Sequence, residues 1–144
     1  MRVLCLDVGK KRIGVAISDG LSITAQGMET IECIEPSSDI EKIIKIAEAN
    51  DVGEIVVGLP LNMNGTQSQQ TKDVLAFLDQ LAKAVSVPIK TWDERLTSIQ
   101  ADRAMLEGDL SRKRRRQLSD RLAAQLILQG YLDATGRRET PSPL

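Results

Sequence analysis

Two short apolar runs, Val3 to Leu6 and Ile13 to Ile17, are split by a polar turn that holds Gly9. This pattern predicts a β-hairpin. Neither run alternates much between apolar and polar residues, so both strands should be covered on both faces, and the hairpin belongs in the middle of a sheet. Asp7 stands where the first run ends, followed by Gly9 and the cations Lys10, Lys11 and Arg12. An acid at the end of a buried strand is costly unless something compensates it. Asp7 therefore reads either as a cap on the Gly9 turn or as a carboxylate directed at a metal or a phosphate, with glycine allowing close backbone approach.

The rest of the chain continues in strands and helices. Ile23 to Ile34 reads as a third strand, with Gly27 as a bulge site. Ser38 and Glu41 have capping-box spacing, and Ile40, Ile43, Ile44 and Ala47 follow at helical intervals, predicting a helix from Ser38 to Asn50. Ile55 to Gly58 is a short apolar strand after a helix, hence parallel and buried. Leu59 to Thr66, rich in Asn and Gly, leads into a second helix, Ser68 to Ala84, with Val74, Phe77, Leu78, Leu81 and Ala82 on one face. Val87 to Trp92 is the last strand. It runs into Asp93-Glu94-Arg95, and a third helix is expected from Thr97 to Glu107. The cations of Ser111 to Arg116 come next, and a final helix spans about Leu118 to Ala134. One domain over residues 1–136 with a frayed tail at 137–144 is expected. The class is α/β: a five-stranded mixed sheet, made of a three-strand antiparallel meander and two parallel strands, with helices on both faces.

Composition narrows the chemistry. The chain has no histidine and two cysteines, Cys5 and Cys33. Ser-His-Asp and Cys-His nucleophilic catalysis are therefore excluded, as are histidine and all-cysteine zinc sites. An enzyme built this way must rely on carboxylates, amines, hydroxyls or a hard metal ion. No apolar stretch reaches membrane-spanning length, and no cleavable signal pattern opens the chain, so a reduced, cytoplasmic setting is expected. The net charge of −1 supplies no global attraction for nucleic acid, but Arg112, Lys113, Arg114, Arg115 and Arg116 are five consecutive cations. With one Phe, one Trp and one Tyr, a platform that stacks successive bases is not expected.

Three acidic positions fall together in this layout. Asp7 and the pair Asp93-Glu94 end strands expected to be parallel, on one edge of the sheet. Asp120 heads a helical stripe of Ala123, Ala124, Ile127 and Tyr131, so it faces the protein, either as a ligand or as a cap or ion-pair partner, for example of Arg95. Neighbouring strand residues point to opposite faces, but the strand ends at 93–94, so the pair is left as a pair. Carboxylates gathered without histidine suit Mg²⁺ or Mn²⁺. Two such ions about 4 Å apart can activate a water and stabilise a leaving oxygen in phosphodiester cleavage. Lys10, Lys11, Arg12 and Arg95 could hold flanking phosphates, Asn62 and Asn64 could contact phosphate or sugar at a helix start, and the run from Arg112 to Arg116 could track a backbone, or be a solvated loop.

The motifs DVGKKRIGVAISD, VVGLPLNMNG, TWDERLTS and SDRLAAQLILQGYL, in this order and over residues 1 to about 134, closely resemble YqgF/RuvX-type proteins. The resemblance implies an RNase H-like fold and a nuclease: one that trims the 5′ end of precursor 16S rRNA in ribosome biogenesis, or a Holliday junction resolvase acting on branched DNA. It places the family's acids on Asp7, on the 93–94 pair and on Asp120. Two readings compete: a non-catalytic nucleic-acid or ribosome-assembly module, and a sugar-kinase-like phosphotransferase, which would need twice this fold. A junction cutter should be a two-fold dimer, whereas RNA processing suits a monomer.

Overall fold

The computed structural model of the chain describes residues 1–96 and 112–135. Strands β1 (Arg2–Val8), β2 (Arg12–Ser18) and β3 (Ala25–Glu32) form the expected meander. Helix α1 (Pro36–Ala49) returns the chain to β4 (Val52–Leu59), and α2 (Gln69–Ala84) returns it to β5 (Ile89–Asp93). A 3₁₀ turn, Glu94–Leu96, follows. The last described element is α3 (Arg112–Thr135). The sheet order is β3-β2-β1-β4-β5, with β4 parallel to both β1 and β5. The hairpin strand β1 is thus central, as its unbroken apolar run requires.

Alternation along the strands sorts the core into two layers. Leu4, Leu6, Ile13, Val15, Ile55 and Val57 face α1 and α2, with Ile40, Ile43, Val74 and Leu81 as the helical side. Val3, Cys5, Ala16 and Val56 face α3, which lays Ala123, Ala124, Ile127, Leu128, Tyr131 and Leu132 against them. Polar bonds fix α3 lengthwise. Gln129 accepts from the Ala25 amide at 3.0 Å and donates to the Ile23 carbonyl at 2.9 Å. The Tyr131 hydroxyl donates to Glu54 at 3.0 Å. Trp92 packs edge-on against Tyr131, with ring centroids 5.9 Å apart.

Several local expectations are corrected. Helix α1 begins at Pro36, after Glu35, without a side-chain cap. Proline preorganises the first helical turn, so the helix starts ahead of the Ser38–Glu41 pattern. Asp39 instead accepts from the Ile34 amide at 3.1 Å. The box lies on α2, where Ser68 and Thr71 cap each other. Ala82 of α2 is exposed. Gly27 pairs in regular register with Ala16, and the irregularity lies between Ile13 and Val15. The cations Arg112 to Arg116 open α3 rather than precede it; Arg, Lys and Gln are good helix formers. The expected helix at 97–107 and the tail at 137–144 lie outside the described residues.

Candidate active site

Asp7 follows Val3 and Cys5 on the alternating side of β1 that faces α3. Its neighbours on both flanks are glycines. Gly14 is its partner on β2. On β4, Leu6 pairs with Val57, and the next step of the parallel ladder sets Gly58 beside Asp7. Each glycine makes room for another acidic residue. A Cβ on Gly14 would run into the backbone carbonyl of Asp120, and one on Gly58 would lie 2.9 Å from the Glu94 carboxylate and 2.8 Å from Ile127. Strands sit about 4.8 Å apart, so Asp7, Glu94 and Asp120 border the same small region at the C-terminal ends of β1 and β5. The buried Cys5 thiol reports this from beneath: burial pushes its pKa well up, and the charges of Asp7 and Glu94 push it further.

The third acid has a partner. Arg12 Nε donates to Asp120 Oδ2 at 2.7 Å, with both side chains about one-fifth exposed. This bond, then the desolvation that opposes it, shapes the guanidinium, whose pKa is raised. The expected partner Arg95 is engaged elsewhere.

Asp93 and Glu94 part ways. Trp92 packs on the α3 side, whereas Asp93 pairs with Leu59, which belongs to the opposite layer. The Asp93 carboxylate accepts from the Arg95 amide at 2.9 Å and from its guanidinium at 2.6 and 3.0 Å. This side-chain bonding, first of all, holds the Asp93 carboxyl below its ordinary range. The 3₁₀ turn then brings Glu94 back to the side of Gly58.

Arg95 also donates to the Met63 carbonyl at 3.1 Å, tying the 62–66 loop to the end of β5. Within that loop Asn62 donates to Thr66 at 2.9 Å, and Thr66 donates to Asn64 at 2.6 Å. The two asparagines thus serve the loop's own shape and remain exposed. Lys10 and Lys11 are exposed on the hairpin turn, closed by the Gly9 amide donating to the Arg12 carbonyl at 2.9 Å. Gly14 and Gly58 escaped the sequence reading as site residues. Their signal was available: a glycine inside an apolar strand marks close approach by another group.

Among the described residues, no three side chains of ligating type already stand as a metal-holding group. The donor set nonetheless suits a hard divalent cation: Asp7, Glu94 and Asp120 offer only oxygen, the one nearby sulfur is kept protonated by burial, and the chain has no imidazole.

The same architecture recurs in resolvases. The chain superposes on Thermus thermophilus RuvC in complex with a Holliday junction substrate with a TM-score of 0.54 and 15% identity, covering 94% of this chain and 96% of that one. For the fowlpox virus resolvase in complex with Holliday junction DNA the TM-score is 0.56 at 12% identity, covering 95% and 100%. The fold is therefore RNase H-like. The RuvX family profile, described as Holliday junction resolvase, matches residues 1–134, and the chain belongs to that family. A Clostridium acetobutylicum protein named "Putative pre-16S rRNA nuclease" is 52% identical over 134 residues, 93% of this chain and 99% of that protein. A Clostridium kluyveri protein of the same name is 52% identical over 133 residues, 92% and 97% of the two.

Proposed function

We propose that this chain is a cytoplasmic, divalent-metal-dependent endonuclease that trims the 5′ end of precursor 16S rRNA. The observation that carries the proposal is that Gly14 and Gly58, the strand glycines flanking Asp7, are approached by the Asp120 backbone and the Glu94 carboxylate. In this reading Asp7, Glu94 and Asp120 hold Mg²⁺ or Mn²⁺, and Asp93 is a positioning residue whose clamp on Arg95 fixes the turn that presents Glu94. Two such ions, when bound, activate a water and stabilise the leaving oxygen. Lys10, Lys11 and Arg12 hold phosphates flanking the cleaved bond, and the cations at the start of α3 follow the backbone further out. The names of the relatives just described favour RNA. The description of the family favours a second reading, cleavage of four-way DNA junctions, which calls for a homodimer rather than a monomer.

The test incubates the purified chain with a precursor 16S rRNA 5′-leader substrate and, separately, with a four-way DNA junction, in Mg²⁺ or Mn²⁺. Molecular mass in solution is measured alongside. The proposal expects RNA cleavage that is lost in Asp7→Asn, Glu94→Gln and Asp120→Asn while RNA binding persists, and only reduced in Asp93→Asn. Symmetric junction cutting by a dimer would move the assignment to the second reading. Binding of both substrates with cleavage of neither would leave a non-catalytic assembly module.

A further inference from the structure

We propose that Arg12 is a latch on the metal site: it holds Asp120 in the resting protein and passes to a phosphate when nucleic acid arrives, releasing the carboxylate to a divalent cation. The inference rests on the metal-site reading above and adds an order of events to it. Arg12 Nε and Asp120 Oδ2 are 2.7 Å apart, so a cation that takes Asp120 competes with a charge-assisted hydrogen bond. Neither backbone is placed to move away. The Arg12 carbonyl closes the hairpin turn, Arg12 pairs with Glu32 on β3, and the Asp120 carbonyl lies against Gly14. The exchange is therefore left to the side chains. Both remain about one-fifth exposed, open to solvent and to an incoming phosphate. A guanidinium pairs well with phosphate, through a planar fork of donors. Arg12 also follows the exposed Lys10 and Lys11, on the turn that a phosphate backbone would meet first. Nucleic acid and metal then assist each other's binding by the same factor.

The experiment titrates MnCl₂ into the wild type, Arg12→Gln, Lys11→Gln and Asp120→Asn by calorimetry, first without nucleic acid, then with a saturating 2′-O-methyl RNA shown by gel to stay uncleaved. Without RNA, Arg12→Gln is expected to bind Mn²⁺ on the order of tenfold tighter than the wild type, as fits the loss of a competing charge-assisted bond. Lys11→Gln, which removes an adjacent charge without touching Asp120, should change it by less than about twofold, as fits a solvent-screened neighbour. RNA should tighten Mn²⁺ binding in the wild type and do so much less in Arg12→Gln. Arg12→Lys keeps the charge but lacks Nε, and should shift affinity in the same direction by less, which covers a failure of Arg12→Gln to fold. Unchanged or weaker Mn²⁺ binding in Arg12→Gln, or an equal gain in Lys11→Gln, overturns the latch. If Mn²⁺ binding is lost in Asp120→Asn yet unaltered in Arg12→Gln, the latch alone fails. If the wild type binds no Mn²⁺, or Asp120→Asn binds it equally well, the metal reading of Asp120 fails and the latch with it.

Discussion

Gly14→Ala is the sharpest test of how α3 reaches the sheet. An alanine Cβ there would collide with the Asp120 carbonyl oxygen, lie 3.1 Å from its carbonyl carbon and lie 3.5 Å from the Ala124 Cβ. The obstacle is helix backbone, which cannot rotate aside as a side chain does. Clearing it requires α3 to lift from the sheet, loosening Ala123, Ala124 and Ile127, all of which are buried. Overpacking that shifts backbone costs about 1–3 kcal/mol, and a backbone obstacle belongs in the upper part of that range. Replacing glycine returns about 0.4–1 kcal/mol by restricting the unfolded chain. The net loss is about 2 kcal/mol, which for a chain of this size lowers the melting temperature by roughly 4–8 °C.

Two companions calibrate the number. At Gly58 the obstacles are side-chain ends, Ile127 at 2.8 Å and Glu94 at 2.9 Å, so Gly58→Ala should cost about half as much, near 1 kcal/mol. Gly20 has no atom within 4 Å of its would-be Cβ, so Gly20→Ala should melt no lower than the wild type. The assay is thermal melting by circular dichroism for all four proteins. A Gly14→Ala protein melting within about a degree of the wild type, or a Gly20→Ala protein falling as far, would refute the reasoning, since a clash on the order of 2 kcal/mol cannot hide at that resolution.

In EDTA, Asp7→Asn is expected to melt higher than the wild type, by the equivalent of about 1 kcal/mol, because relieving repulsion at a functional site stabilises; excess Mn²⁺ should raise the wild type and do so much less for the variant, and a lower melting point for Asp7→Asn in EDTA would instead make Asp7 a cap. Replacing Arg112, Arg114, Arg115 and Arg116 with alanine should weaken binding to all RNA sequences alike and flatten its salt dependence, checked by binding isotherms across a salt series. Arg95 holds the Asp93 carboxyl below its ordinary value, so this bond stabilises the fold above the unfolded pKa and its contribution is lost as pH falls through the lower folded one. Asp93→Asn should therefore melt below the wild type near neutral pH, with the gap closing from about pH 5 downward; a gap independent of pH would mean that the loss is one of shape alone.

Much of the sheet was legible because each strand is a short apolar run bounded by turn residues, and the stripe Asp120, Ala123, Ala124, Ile127 turned Asp120 inward at the right angle. The start of α1 was misread because two signals competed. The capping-box spacing at Ser38 and Glu41 is a pattern of side chains, whereas Pro36 fixes a backbone angle, and the backbone constraint acts first. The partner of Asp120 left no local trace. Arg12 lies 108 residues away, and no periodicity links a hairpin turn to a helix that covers the opposite end of the chain.

The sides that Asp93 and Glu94 face follow from a geometry that alternation does not describe. In a continued strand one of the two would simply point to each face. Here β5 ends at Asp93, and the Asp93–Arg95 clamp folds the next residues into a 3₁₀ turn, so the side that Glu94 reaches is set by the turn. The glycines supply the missing half of the argument. A glycine inside a buried strand gives up side-chain packing and conformational economy, and only a neighbour that needs the space compensates for it. Two such glycines flank Asp7, one on each adjoining strand, and each clears a path for one further acid. An acid in the central strand between two glycines thus already marked where other groups descend onto the sheet. Only the folded chain, with α3 laid across β2 and the turn after β5 bent over β4, shows that those groups are Asp120 and Glu94.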